Sequence, residues 1–129
     1  MQENVKTIIK LDFSDNYIFD IEAEAFDEFD VLEELDLNSN KLTTIDKKYF
    51  TKKLGSTLLR LKLNNNKIED LTPHSFKYLT ELIFLDLSRN KKLEVDSGIF
   101  GKSLSKSETL ILKWCEIETL DDDTFVNLK

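Results

Sequence analysis

The chain contains one cysteine, one histidine, one proline and three glycines among its 129 residues. One cysteine excludes a disulfide bond within the chain. Three glycines exclude a glycine-rich phosphate-binding loop, and with a single proline they exclude a long flexible linker. No apolar run reaches the length of about 18 residues that a membrane span needs, so we expect no membrane contact by this segment.

The composition is that of a folded chain, because 40% of the residues are hydrophobic and 33% are charged. A length of 129 residues suits one domain, which we expect to cover residues 1–129. The formal net charge of −7 opposes binding to nucleic acid, and we expect no nucleic-acid partner.

One sequence motif is repeated five times along the chain. The stretches IIKLDFSDN, LEELDLNSN, LLRLKLNNN, LIFLDLSRN and SETLILKWC begin at residues 8, 32, 58, 82 and 107, at spacings of 24, 26, 24 and 25. Each reads apolar-x-x-apolar-x-apolar-x-x-Asn, with Ser and Cys as substitutes at the two ends of the last copy. We call these copies coils one to five and count positions from the first residue of each.

Two columns of residues recur at fixed offsets. Position 9 holds Asn16, Asn40, Asn66, Asn90 and Cys115. Ten residues further on stand Phe26, Phe50, Phe76, Phe100 and Phe125. We predict that the first column is a structural ladder whose amides bond backbone groups of the turn in their own coil and in the next. We predict that the second column is a spine of phenylalanines filling the far side of the core.

The alternation Leu-x-Leu predicts a short strand with one buried face. Repetition about every two dozen residues stacks these strands in parallel, so that each coil contacts only its neighbours. Because the phenylalanine side is wider than the strand side, we expect the stack to curve with the strands on its concave face.

These motifs resemble the leucine-rich-repeat family over residues 8 to 128. The coil length and the phenylalanine offset are similar to those of animal extracellular members such as Toll-like receptor ectodomains. The resemblance implies an α/β right-handed solenoid (horseshoe), with a short parallel sheet on the concave face and an irregular or 3₁₀ convex side. It also implies binding to a protein partner. The family accepts Cys at the Asn position.

Two coils depart from the pattern. In coil four the apolar residue expected at Lys92 appears one place later, as Leu93, which predicts a local bulge. In coil five Ser107 replaces the first apolar residue, so the sequence does not define where that strand begins.

Three sequence features carry candidate chemistry. Cys115 is a nucleophile or metal ligand on one reading and a buried ladder residue on the other, which we favour because no cationic neighbour is evident. His74 is interpreted as an exposed loop residue, and Asp121 to Asp123 as a solvated turn rather than a calcium loop. We therefore expect no enzyme activity, no catalytic or metal site and no cofactor.

The outward strand positions carry the functional information, because the core does not dictate them. Neighbouring strands bring Glu34 within reach of Arg60, and Asp36 within reach of Lys62. Coils three to five also present apolar residues there, which predict one contiguous contact patch. The predicted partner-binding residues are Leu59, Arg60, Lys62, Ile83, Phe84, Arg89, Ile111, Lys113 and Trp114.

The favoured function is protein recognition through the concave face, in an extracellular receptor or secreted protein of the innate-immunity or adhesion type. The alternative is an intracellular scaffold or regulatory subunit, favoured by the lone thiol and by the lack of a signal peptide and of N-glycosylation sequons. We also expect the chain to be a fragment without caps, able to self-associate through its ends.

Overall fold

The strands form one parallel sheet with one strand per coil. The computed structural model describes residues 6–96 and 98–128. The strands, in sheet order, are β1 (Lys10–Asp12), β2 (Glu34–Asp36), β3 (Arg60–Lys62), β4 (Phe84–Asp86) and β5 (Thr109–Ile111). Each occupies positions 3 to 5 of its coil, so Ser107 does not displace the start of β5.

The central leucine of every strand is in register with those of its neighbours, from Leu11 through Leu35, Leu61 and Leu85 to Leu110. This residue faces the core while its two neighbours face outward, as a period of two requires. The three inner leucines are fully buried, whereas Leu11 and Leu110, in the end coils, are half-buried.

The phenylalanine column lies on the opposite side of the core. Phe26, Phe50, Phe76 and Phe100 are buried. Phe125 stacks on Phe100 with ring centroids 6.0 Å apart, but 38% of it is exposed. Our expectation that all five rings fill the core is therefore wrong for Phe125, because no coil among the described residues covers it.

The unequal coil lengths are absorbed after the phenylalanine. The next coil begins six residues after Phe26 and Phe76, but eight after Phe50 and seven after Phe100. The extra residues of coil two form a helix, α1 (Lys52–Gly55), and those of coil four a 3₁₀ helix (Lys102–Leu104). Regular helix is otherwise scarce in the described residues. The parallel sheet with one strand per coil confirms the predicted fold class, a leucine-rich-repeat solenoid.

The last residue of α1 must be glycine. A Cβ atom on Gly55 would overlap the carbonyl oxygen of Tyr78 in coil three. The extra turn of helix therefore fits into coil two only because its end can approach the next coil without a side chain.

The ladder asparagines join consecutive coils. The amide of Asn66 donates to the carbonyl oxygens of Leu37 at 3.0 Å, Leu63 at 3.1 Å and Asn64 at 3.3 Å. Its Oδ1 accepts the backbone N–H of Leu42 at 3.1 Å. The buried N–H of Leu42 is thereby satisfied, and the three carbonyls gain a donor beside those that Asn40, Asn90 and the backbone N–H of Ser39 supply.

The direction of this ladder corrects our expectation. Asn40, Asn66 and Asn90 bond to their own coil and to the preceding one, not to the next. Asn16 has no preceding coil among the described residues; it is exposed and bonds only to the carbonyls of Phe13 and Ser14.

Cys115 performs half of the ladder function. Its Sγ donates to the carbonyl of Leu87 in the preceding coil at 3.2 Å. A thiol has no side-chain oxygen, so the N–H of Lys92, which corresponds to that of Leu42 in coil two, has no Oδ1 to bond. The chain turns here instead: the N–H of Leu93 donates to the carbonyl of Asn90 at 3.0 Å, Leu93 is buried and Lys92 is exposed. The bulge predicted in coil four therefore lies where Cys115 replaces the ladder asparagine of the next coil.

Candidate functional site

The outward side chains of the five strands form a surface that we call the strand face (positions 2, 3, 5, 7 and 8 of each coil). A row of contacts crosses it at position 3. Glu34 lies 3.5 Å from the ammonium of Lys10 and 3.7 Å from the guanidinium of Arg60. The same guanidinium lies 4.4 Å from the ring centroid of Phe84. The predicted Glu34–Arg60 pair is therefore present, and Arg60 links it to the aromatic residue of coil four.

Position 5 has a different role. Oδ1 of Asp12, Asp36 and Asp86 accepts the backbone N–H of Ser14, Asn38 and Ser88, respectively, at 2.9, 3.0 and 2.9 Å. These turns close the strand ends. The hydrogen bonds from Ser14 hold the pKa of Asp12 below its ordinary value.

This role corrects a second expectation. Asp36 and Lys62 are register partners, but no ion pair joins them within residues 6–96. Oδ1 of Asp36 accepts instead from the backbone N–H and the side-chain amide of Asn38. Lys62 is left between two aspartates that are already engaged in turns.

The apolar residues of the strand face divide into two groups. Leu59, Ile83 and Phe84 lie at positions 2 and 3, where they are half-buried. Trp114 lies at position 8, beyond the end of β5, and 69% of it is exposed. Half-buried Ile111, at position 5, lies between them along the coil. The predicted contact residues therefore include two Arg–aromatic clusters, Arg60–Phe84 at position 3 and Arg89–Trp114 at position 8.

Position 8 has a left-handed backbone in every coil. The values of φ are 57° for Asp15, 56° for Ser39, 56° for Asn65, 59° for Arg89 and 60° for Trp114. Short polar side chains tolerate this conformation, whereas a bulky aromatic residue rarely adopts it. Our reading of the sequence missed this column, although Asp, Ser and Asn at one position were the available signal.

Trp114 therefore combines exposure with backbone strain. The guanidinium of Arg89 lies 5.5 Å from its ring centroid. The backbone N–H of Arg89 also donates to the carbonyl of Lys113 at 2.8 Å, and the N–H of Lys113 donates to the hydroxyl of Ser88 at 3.2 Å. These hydrogen bonds join coils four and five next to the Arg89–Trp114 pair.

The candidate catalytic and metal-binding residues lie outside the strand face. Cys115 is 2% exposed, and burial raises the pKa of its thiol, the opposite of what a nucleophile requires. His74 is exposed on a turn, and Asp121, Asp122 and Asp123 are all exposed. Within residues 6–96 and 98–128, no group of three His, Cys, Asp or Glu side chains is arranged to hold a metal ion.

Two further features in or near the strand face were not predicted. Oδ1 of Asn64, at position 7 of coil three, is a buried acceptor without a hydrogen-bond partner. Tyr17 and Phe19 follow the strand face in coil one and are almost fully exposed.

The sequence profile described as leucine rich repeat matches residues 6–52, 30–91 and 56–117. The chain belongs to the leucine-rich-repeat family. Together these matches span most of its length, in three overlapping sets of coils, which confirms the resemblance noted from the motifs.

Among solved structures, the fold is similar to a chain in the structure of the Toll–Spatzle complex from Drosophila, described as a molecular hub in development and innate immunity. The TM-score is 0.70 at 23% sequence identity, over 85% of the present chain and 14% of that one. The present chain thus corresponds to a small part of that protein. No curated protein sequence matches significantly.

The leucine-rich repeats support a role in protein interaction. No helix of the described segments has the length and apolar character needed to cross a bilayer.

Proposed function

We propose that the chain is a recognition module that binds a protein partner through the strand face. The observation that carries this proposal is Trp114, which is exposed, strained at φ 60° and stacked against Arg89. Neither the core nor the turn benefits from a tryptophan there. Strain of this kind persists where function requires the residue, and Trp and Arg dominate the energetics of protein interfaces.

A second feature of the strand face supports partner binding. The Arg60–Phe84 cluster offers another aromatic anchor, which is half-buried and lies five positions earlier in its coil than Arg89. We expect all nine predicted residues to contact the partner, with the two Arg–aromatic clusters contributing most of the binding energy.

The proposed setting is an extracellular receptor or secreted protein of the innate-immunity or adhesion type. It rests on the coil length, the phenylalanine offset and the likeness to the Toll–Spatzle structure. An intracellular scaffold is the competing candidate, and the free thiol of Cys115 favours it. Epitope tagging of the full-length gene product, with staining of intact and permeabilised cells, decides between the two.

The binding proposal is tested by screening the immobilised chain against a panel of purified secreted proteins. Each binder is then measured against the double variant Phe84→Ala/Trp114→Ala. We expect affinity to fall by about 30-fold, equivalent to about 2 kcal/mol.

A matched control removes two exposed aromatic residues outside the strand face, in the double variant Tyr17→Ala/Phe19→Ala. This variant should bind within about threefold of the unchanged chain. A partner that tolerates the loss of Phe84 and Trp114, or that responds equally to the control, would exclude the strand face as its binding site.

A further inference from the structure

A cleft of about 410 Å³ lies beside the turns of coils three and four, next to the strand face. Its charged lining consists of Lys67, Arg89, Lys91, Lys92 and Glu69. Four cations thus surround one carboxylate, in a chain whose net charge is −7. This concentration of positive charge is not explained by the core or by the ladder.

The local backbone positions these lysines. Because Cys115 offers no acceptor oxygen, the chain turns between Asn90 and Leu93, with Lys91 and Lys92 in the turn. The leucine is buried and both lysines are exposed. A regular coil would instead place position 11 in the core, as it does with Leu42 and Ile68.

The positive charge of the cleft is largely unneutralised. Glu69 lies 3.9 Å from the ammonium of Lys92. No carboxylate within the described residues forms an ion pair with Lys67, Arg89 or Lys91. Clustered cations without counterions attract an anion and raise its rate of association.

We infer that this cleft binds an acidic segment, a short run of Asp and Glu side chains, on the same protein that contacts the strand face. Arg89 connects the two sites, because it lines the cleft and also stacks on Trp114. A partner that covers Trp114 therefore lies next to the cleft. This inference rests on the proposed function for the identity of the partner, but the cleft itself can be tested alone.

Carboxylates fit better than a nucleic acid. The cleft has the volume of a small-molecule pocket and accommodates a few side chains rather than a length of phosphate backbone. Coil five, next to the cleft, would repel an extended polyanion, because it holds six carboxylates and two lysines.

The probe is a fluorescein-labelled hexaglutamate peptide, measured by fluorescence anisotropy at about 20 and about 150 mM salt. The double variant Lys91→Glu/Lys92→Glu should weaken binding about tenfold or more. The control, Lys47→Glu/Lys52→Glu, makes the same change in net charge at exposed lysines outside the cleft, and should change affinity by less than about twofold. Equal losses in both variants, or no saturable binding at low salt, would overturn the inference.

Three further measurements complete the test. Backbone amide shifts on peptide addition should be largest at Lys67, Lys91 and Lys92. A ten-nucleotide oligothymidylate should bind more weakly than the peptide, and tighter binding at the same lysines would replace the acidic segment with a nucleic acid. Trp114→Ala should leave peptide affinity within about twofold, so a failure of the strand-face proposal and a failure of the cleft proposal give different results.

Discussion

The hydroxyl of Tyr49 donates a hydrogen bond of 3.0 Å to Oδ1 of Asp20 and so joins coil two to coil one outside the sheet. Burial, together with this carboxylate, raises the pKa of Tyr49 to about 12 from 10.0. The same hydrogen bond is the main reason why the pKa of Asp20 is lowered below 3.8. The bond therefore requires a protonated phenol and is strongest while the carboxylate is ionised.

The first prediction is that Tyr49→Phe destabilises the chain by about 1 kcal/mol near pH 7. Because the folded pKa is the higher one, the contribution of Tyr49 is fully present below pH 10 and is lost as the pH rises towards about 12. Urea melts should show the difference between variant and unchanged chain narrowing over that range. Tyr17→Phe, at a site that is 83% exposed, serves as the control. A difference that stays constant to the end of the range would show that the bond does not couple to folding.

The second prediction concerns the ladder. Asn66→Ala leaves the buried N–H of Leu42 without a partner and removes one donor from each of three carbonyls, and should cost about 1–3 kcal/mol of unfolding free energy. Asn16→Ala, at the exposed first position of the same column, should cost less than about 0.5 kcal/mol. Equal effects in urea melts would mean that the bonds between coils contribute nothing beyond those within a coil.

The third prediction concerns the coupling between Cys115 and the turn of coil four. Cys115→Asn introduces an amide oxygen whose expected donor, the N–H of Lys92, lies in a turn, and should cost about 1–3 kcal/mol. Exchanging Lys92 and Leu93 alone should cost about 2–4 kcal/mol, because it moves a buried leucine. The combination restores a regular coil. Its free energy of unfolding should be at least about 1 kcal/mol higher than the sum of the two separate losses predicts. Additive losses would show that the cysteine and the bulge are independent.

The fourth prediction concerns strain at Trp114. A left-handed backbone costs an ordinary residue about 1–2 kcal/mol, whereas an exposed cation–π contact contributes about 0.5–1 kcal/mol. Strain outweighs the contact, so Trp114→Asn should raise the free energy of unfolding by about 0.5 kcal/mol, as Asn65 already occupies this position in coil three. Trp114→Ala keeps the strain and loses the contact, so it should be slightly less stable than the unchanged chain. If both variants shift stability in the same direction, strain is not the dominant effect.

The fifth prediction concerns association through the ends of the solenoid. At one end Leu120 is 58% exposed beside Phe125, and at the other an apolar cleft is lined by Phe13 and Phe26. Both end coils are strongly acidic, so like charges oppose the apolar attraction. Sedimentation of residues 1–129 at several concentrations should therefore show association that strengthens from about 50 to about 500 mM salt. A monomer with a sharp, concentration-independent melt at both salt levels would show that the ends are adequately closed.

The sequence predicted the elements that periodicity controls. The repeated leucines predict that β2, β3 and β4 are parallel and in register, which makes Glu34 and Arg60 neighbours, as the structure confirms. The position of Leu93 identified the bulge of coil four. Each of these features depends on burial, which leaves a regular pattern along the chain.

The remainder depended on backbone detail that has no hydrophobic period. The left-handed residue before each ladder position, the aspartate turns at position 5 and the direction of the ladder all follow from local hydrogen bonding. They also place Trp114 in a turn at position 8, whereas Phe84 lies in β4 at position 3. The cationic cleft was invisible for the same reason, since it exists only where Lys91 and Lys92 form a turn.

The burial of Cys115 has a consequence for how opening of the solenoid can be observed. A stack whose coils contact only their neighbours can unfold from its ends, one coil at a time, without losing its centre. The thiol is enclosed in the native state and becomes accessible when coil five separates from coil four. Where global unfolding is slower than fraying, its rate of labelling by a thiol reagent therefore measures opening of coil five, and the single cysteine is a natural reporter that requires no engineered probe.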